Sequence, residues 1–123
     1  MTVRVEAAME GETDLMMESQ LYRNGSYMPD NFTPRPMKDA NGVSTFTTLE
    51  RAAPPGGKAQ VLDPSGRVNL KAELIDPGHY GIVPKDASRM TEWMSTRGTG
   101  VVHEFTVELM NAVTRKNVRP PKQ

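Results

Sequence analysis

The chain has 123 residues, a length that suits one domain better than two. Hydrophobic residues make up 37% and aromatic residues 6%, while glycine and proline number ten each, so we expect a small core with long connections. Fifteen basic residues balance fifteen acidic ones. Broad capture of DNA or RNA normally needs a basic face. The balanced charge argues against it and leaves room for a small pocket that holds one anionic ligand.

Cysteine is absent, which excludes disulfides, thiolate catalysis and cysteine-based metal sites. His79 and His103 are the only histidines, and neither belongs to an H-E-x-x-H pair, so we predict no metal site. No apolar stretch approaches the roughly 20 residues of a membrane-spanning helix, and the N-terminus lacks the layout of a signal peptide. These features fit a protein that acts in a reducing cytosol.

Short runs of β-favouring residues between turn signals predict the strands. The predicted strands are residues 20–23 (QLYR), 43–49 (VSTFTTL), 60–63 (QVLD) and 79–83 (HYGIV). Residues 68–76 fit either a strand or a helical turn. The stretch NGSYMPDNFTPRPMKDANG follows the first strand and contains three prolines and two Asn-Gly pairs. A loop of that length inside a small domain is usually functional or mobile.

Helical spacing dominates the last third of the chain. A helix is predicted over residues 85–97, where Met90, Trp93 and Met94 fall on one face. Residues 101–116 fit helical and strand periodicity alike, and the helix formers near their end favour a helix. Short strands followed by helices predict an α+β fold.

The predicted boundaries give a single domain over residues 19–116. Residues 1–18 are an acidic, methionine-rich N-terminal segment that is predicted to be partly ordered. Residues 117–123 are predicted to be a flexible polar tail.

Arg23 is the first candidate for chemistry, because a planar guanidinium suits phosphate recognition and Arg23 ends a predicted strand beside Asn-Gly. A solvated edge charge or a structural ion pair is the competing interpretation. The strand over residues 43–49 places Ser44 and Phe46 on one face and Thr45 on the other. Hydroxyl groups beside an aromatic ring can hold a ribose and stack a flat base, although these residue types also simply favour strands.

His79 and Tyr80 point to opposite faces of their predicted strand. His79 is a candidate general base or hydrogen-bond donor to a ligand, and a buried structural histidine is the alternative. Tyr80 is either a core residue or part of a cleft. The signatures G-x-x-x-x-G-K-[ST], G-x-S-x-G and G-x-G-x-x-G are all absent from the chain.

Several short motifs together resemble a known family. LYR near the start, STF on a middle strand, VLD before a small turn, HYGIVP and a methionine-containing helix are similar to the small type VI secretion toxins of the exported-effector-two type. Those toxins look like the catalytic domain of diphtheria-type ADP-ribosyltransferases. The resemblance runs from about Gln20 to Thr114, and its sharpest part is GHYGIVP.

The resemblance implies two small mixed or antiparallel sheets around a cleft, with flanking helices and NAD as the substrate. It implies a cytosol-acting toxin that is delivered by a secretion system, transfers ADP-ribose or hydrolyses NAD, and is neutralised by an immunity protein. The implied site residues are Arg23, Ser44, Thr45 and His79 for catalysis and Arg23, Ser44, Phe46 and Tyr80 for the cofactor.

One part of the family pattern is missing. Such transferases place a glutamate on a late strand, where it stabilises the transition state as nicotinamide leaves. No E-x-E or Q-x-E pair occurs late in this chain, and the weaker candidates are Glu50, Glu73, Glu104 and Glu108. Two other functions therefore stay open. One is a protein-binding module without an active site, since methionine suits adaptable contacts. The other is a nucleotide- or RNA-directed enzyme that does not use NAD.

Overall fold

The computed structural model describes residues 20–121, so the predicted N-terminal segment of residues 1–18 lies outside the described range. The strands are β1 (Leu21–Asn24), β2 (Val43–Phe46), β3 (Ala59–Leu62), β4 (Leu70–Asp76), β5 (His79–Pro84) and β6 (Val113–Val118). They form one antiparallel sheet in the order β4-β5-β2-β1-β3-β6. The predicted strands are thus confirmed in outline, although they lie in one sheet where two had been expected.

The helices of the described part of the chain are short. They are α1 (Leu49–Ala52), α2 (Met90–Met94) and α3 (Glu104–Asn111), with 3-10 turns at Pro29–Phe32, Pro64–Gly66 and Ala87–Arg89. The predicted α+β class is confirmed. Across residues 20–121, no helix has both the length and the apolar character needed to cross a membrane.

The main core lies between one face of the sheet and helices α2 and α3. Trp93 is fully buried there, as the helical spacing predicted, and its ring packs at 5.9 Å from that of Phe105. A second, smaller cluster packs under α1 and includes Ala52, Ala59 and Phe46. The sheet is therefore covered unevenly, with the larger apolar area on the α2–α3 side.

A buried hydrogen-bond network ties both helices to the turn after β1. The indole N–H of Trp93 donates to Oγ1 of Thr106 at 2.9 Å, and that hydroxyl is bonded to Oγ1 of Thr33 at 2.8 Å. Thr33 in turn donates to the carbonyl of Pro29 at 3.0 Å. Because buried polar groups need partners, this network fixes the start of the long loop against the core.

The helix predicted over residues 101–116 is wrong at its C-terminal end. The helix stops at Asn111, and β6 begins at Val113, which pairs with Leu62 of β3. Residues 101–116 fit both helical and strand periodicity. The unpaired backbone groups of β3 decide the outcome, since each pairing in a ladder satisfies groups that would otherwise lack a partner.

Asn117 and Arg119, which fall in the predicted tail, are joined to the rest of the described structure. The N–H of Asn117 donates to Oε1 of Gln60 at 3.1 Å, and the Gln60 amide donates back to Oδ1 of Asn117 at 3.0 Å. Arg119 donates to the carbonyls of Gly56 and Gly57 at 3.3 and 3.4 Å. The ordered chain thus continues past the predicted boundary at residue 117.

The junction between β1 and β2 is the narrowest part of the sheet. Tyr22 and Phe46 are the one residue pair that joins them, whereas β1 shares four pairs with β3 and β2 shares four with β5. The predicted strand over residues 43–49 ends early because Thr48 caps α1, its hydroxyl accepting the N–H of Arg51 at 3.3 Å. A cleft lined by Arg23 of β1 and Ser44 of β2 opens beside this short junction.

Candidate functional site

Arg23 lies at this opening and bridges the two strands. Its Nε donates to the carbonyl of Asn31 at 3.0 Å, and its Nη1 donates to the carbonyl of Ser44 at 2.9 Å. These bonds use two of the five N–H donors of a guanidinium. Among residues 20–121, no carboxylate forms an ion pair with Arg23. The half-buried cation therefore keeps donors for a further acceptor.

Two more arginines, Arg35 and Arg97, line the same cleft, which has a volume of about 580 Å³. Burial lowers the pKa of Arg23 to about 10; the Asp39 carboxylate opposes this shift, and the charges of Arg35 and Arg97 add to it. Arg23 still carries its charge at neutral pH. An anion bound in the cleft would offset the desolvation cost of Arg23 and the repulsion among the three cations.

Asp39 is a buried counter-charge beside this cleft. It accepts the backbone N–H of Arg35 at 2.8 Å and the Arg35 side chain at 2.9 Å (Nε) and 3.3 Å (Nη2). Burial would raise the pKa of Asp39, but the hydrogen bonds from Arg35 and the charges of Arg35 and Arg23 outweigh it and lower the pKa. The buried Asp39 carboxylate thus faces two arginines, Arg35 and Arg23.

Arg97 also has a structural role at the rim. Its Nη1 donates to the carbonyls of Asp30 and Thr33 at 2.7 and 2.8 Å. These bonds attach the segment after α2 to the 3-10 turn after β1. The turn that carries Asn31, an acceptor of Arg23, is therefore held from both sides.

Ser44, Phe46 and His79 come together on the sheet face away from the main core. Phe46 lies opposite His79 in the β2–β5 ladder, and Oγ of Ser44 is hydrogen bonded to Nε2 of His79. The imidazole stacks on Phe46 with the ring centres 4.6 Å apart and the planes at 15°. The Arg51 guanidinium lies 5.0 Å from the centre of the same ring. The stacking position predicted for a base on Phe46 is thus taken by His79.

The sequence Asp76-Pro77-Gly78-His79 builds the turn between β4 and β5. Proline at the second position and glycine with a φ of +78° at the third are typical of a type II turn. The turn brings Oδ2 of Asp76 to 3.6 Å from Nδ1 of His79. Arg51 supports it by donating to the carbonyl of Pro77 and by approaching Oδ1 of Asp76 at 3.7 Å.

A second cavity of about 300 Å³ adjoins the first, and Ser44 lines both. His79 and Ile75 form part of its wall. Arg35 and Asp39 line it as an ion pair, and Lys38 adds a positive charge. The hydroxyl of Ser44 therefore has a hydrogen-bonded imidazole beside it in a cavity of net positive charge.

Two of the predicted site residues lie elsewhere. Thr45 and Tyr80 are buried on the core face, where Oγ1 of Thr45 donates to the carbonyl of Tyr80 at 2.9 Å. Neither lines the two cavities. Strand alternation explains this, because both residues are one position out of phase with Ser44, Phe46 and His79.

The candidate glutamates also lie away from both cavities. None of Glu50, Glu73, Glu104 and Glu108 lines either one. Glu73 is paired with Lys71 at 2.8 Å, and Glu104 with Arg89 at 3.1 Å. Within the described range, no group of three histidine or carboxylate side chains is placed to hold a metal ion.

The sequence interpretation missed Arg35, Asp39, Arg97 and Asp76. The first three lie in irregular segments, where no periodicity indicates which side chains converge. Asp76 had a usable signal, because Asp-Pro-Gly is a strong turn sequence. A turn there places the residues on either side, Asp76 and His79, close together.

Comparison of the chain with protein-family models, curated proteins and solved structures finds no match. The support for a function therefore comes from the geometry of the cleft, together with the motif resemblance.

Proposed function

We propose that the Arg23 cleft binds the pyrophosphate of NAD and that the protein is a toxin of the ADP-ribosyltransferase type. It acts in the cytosol of a target cell, reached by a secretion system, where it transfers ADP-ribose or hydrolyses NAD, and an immunity protein neutralises it. The observation that carries the proposal is the half-buried Arg23 guanidinium. It retains open donors between two other arginines, and no carboxylate of residues 20–121 forms an ion pair with it.

The narrow β1–β2 junction supports the cleft expected of that fold. Because one residue pair joins β2 to β1, the single sheet is divided most naturally into β4-β5-β2 and β1-β3-β6, and Arg23 of β1 lies at that boundary. The predicted two sheets would correspond to these halves. The short junction between the two parts leaves the side chains of Arg23 and Ser44 accessible to a ligand.

The contents of the cleft suit a nucleotide phosphate. Its volume of about 580 Å³ lies within the usual range for a small-molecule site, roughly 300–1,000 Å³. Arginine forms bidentate bonds with phosphate, and Ser44 also lines the cleft, where its hydroxyl would bond a ribose of the ligand. Phe46 also lines the cleft, and His79 covers one face of its ring.

The positions of the glutamates favour a second candidate. Since none of the four lines the cleft, the carboxylate that assists departure of nicotinamide has no equivalent among them. A phosphate-directed enzyme that acts on a nucleotide or RNA without NAD needs the arginines and not that glutamate. This function remains the alternative.

The test compares the wild type with Arg23→Lys in growth, NAD consumption and NAD titration. Lysine keeps the charge but loses the planar fork. We expect growth arrest and NAD loss with the wild type, and a 10- to 100-fold weaker affinity with Arg23→Lys, on the order of 1.5–3 kcal/mol for a charge-assisted hydrogen bond. Arg115→Lys, on the exposed face of β6, is the matched control and should behave as the wild type.

The outcomes separate the candidates. Arrest that depends on Arg23 without NAD consumption would favour the NAD-independent enzyme. A folded wild type that causes no arrest and binds neither NAD nor pyrophosphate would refute both and leave the protein-binding module. Circular dichroism of each variant checks that folding is retained.

A further inference from the structure

Ser44, His79 and Asp76 are arranged in the atomic order of a serine nucleophile with its base. Oγ of Ser44 is bonded to Nε2 of His79, and Nδ1 on the other side of the ring faces Oδ2 of Asp76 at 3.6 Å. The same order of atoms occurs in hydrolases of unrelated folds, where it is recognised by geometry and not by sequence. We propose that this cluster makes Ser44 a nucleophile towards small esters that carry a negative charge.

The imidazole ring of His79 is held in place through one of its faces as well as at both nitrogens. It stacks on Phe46 at 4.6 Å, and Arg51 anchors the turn that carries Asp76. A base must keep its orientation to receive a proton from one defined hydroxyl. The stacking and the turn meet that requirement, and the 3.6 Å separation is of the loose kind seen in sites without a ligand.

The cavity of about 300 Å³ beside Ser44 defines the substrate class. Ile75 gives it an apolar wall. Arg35 is ion-paired with Asp39, which also lines this cavity, so Lys38 supplies its net positive charge. A short acyl chain ending in a carboxylate matches both features.

The reaction is an acyl transfer followed by hydrolysis. Oγ of Ser44 bonds to the ester carbonyl carbon while its proton moves to Nε2 of His79. The alcohol then leaves as the carbon–oxygen ester bond breaks, and it takes that proton. Water, with His79 again as the base, cleaves the acyl-serine bond and releases the carboxylic acid. Asp76 keeps its charge throughout and positions the ring.

This activity goes beyond the proposed reaction with NAD and does not depend on it. A labelling assay without NAD therefore tests the nucleophile separately from the cofactor. The probe is an alkyl fluorophosphonate, which reacts when Oγ bonds to phosphorus, fluoride leaves and the serine proton passes to His79. Peptide mass spectrometry locates the adduct.

We expect the adduct on Ser44 in the folded wild type, none in Ser44→Ala, and a labelling rate at least about 100-fold lower in His79→Ala, the usual size of a base contribution. Free imidazole should restore labelling of His79→Ala, which a merely structural loss would not allow. The wild type should hydrolyse mono-p-nitrophenyl succinate faster than p-nitrophenyl acetate, and Lys38→Gln should reduce that preference.

Asp76 is tested as a positioning residue with two substitutions. Asp76→Asn should slow labelling at least tenfold, whereas Asp76→Glu, which keeps the carboxylate, should recover most of the rate. Ser88→Ala is the control, because Ser88 is also hydrogen bonded to a side chain, Asp86 at 2.7 Å, but has no imidazole. Its labelling should equal that of the wild type.

The proposal is overturned if folded wild type carries no adduct on Ser44. It is also overturned if labelling is unchanged in His79→Ala, or if imidazole fails to restore it in a variant that has folded. Should His79→Ala not fold, the comparison of Asp76→Asn with Asp76→Glu decides, and equal labelling rates for the two variants refute the positioning role of the Asp76 carboxylate and with it the proposed cluster.

Discussion

Replacing Asp39 by asparagine removes one negative charge from beside the Arg23 cleft and keeps the shape of the side chain. Asp39 is 6% exposed, and its carboxylate accepts three N–H groups of Arg35 at 2.8 to 3.3 Å. An amide keeps one acceptor oxygen and turns an NH₂ group toward the remaining guanidinium contact. A charge-assisted hydrogen bond contributes about 1.5–3 kcal/mol. Arg35 is half exposed, which reduces this, so we expect a loss of about 1–2 kcal/mol at pH 7.

The sign of the pH dependence follows from the pKa of Asp39. Although burial opposes it, the hydrogen bonds from Arg35 and the nearby cations lower this pKa in the folded protein. The pKa of an aspartate in an unfolded chain is about 3.9. The stabilisation is therefore present above that pH and is lost as pH falls through the folded pKa. The difference between wild type and Asp39→Asn should be full at pH 7 and shrink steadily below about pH 4.

Urea unfolding of both proteins at pH 7, 5 and 3.5 measures this difference. Asp30→Asn is the control, because Asp30 lies in the same loop with an exposed side chain, and it should cost less than about 0.5 kcal/mol. A cost for Asp39→Asn that is the same at all three pH values would refute the electrostatic reasoning. So would an equal cost for the two variants.

Three further changes test the packing around the site. Trp93→Ala should cost about 3–5 kcal/mol in urea unfolding, because the indole is fully buried and bonded to Thr106; a cost below 1 kcal/mol would contradict this. Gly81→Ala brings a Cβ against the carbonyl of Asn41, so pyrophosphate binding, measured by titration, should weaken as the loop moves. Removing residues 117–123 should lower the urea midpoint, since the β6 pairing is cut short, and an unchanged midpoint would show that the tail contributes nothing.

Local sequence signals were sufficient for most of the sheet. Strands such as Leu21–Asn24 and His79–Pro84 are short, rich in β-favouring residues and bounded by Pro, Gly or Asn. Alternation along β2 also predicted that Ser44 and Phe46 would share a face, and the ladder with β5 brings His79 to it. Where a strand and its turn signals are contiguous, the chain alone specifies the element.

The missed features depend on contacts between distant segments. Val113 begins a strand and does not continue a helix, because β3 offers unpaired backbone groups that lie 50 residues earlier in the chain. Arg97 reaches the cleft through bonds to carbonyls near residue 30. Neither relation leaves a periodic pattern in the sequence. Asp39 is a similar case, since its burial follows from the path of the loop and not from its residue type.

The narrow junction of the sheet gives a physical reason for placing a cation in it. A full ladder between β1 and β2 would satisfy the carbonyl of Ser44 with a backbone N–H, whereas here the guanidinium of Arg23 does so. Burying the guanidinium incurs a desolvation cost, and this cost lowers the pKa of Arg23. Strongly shifted groups in a cleft are characteristic of functional sites. A bound anion would offset the cost and hold both halves of the sheet through one side chain, so ligand binding and closure of the junction should be coupled.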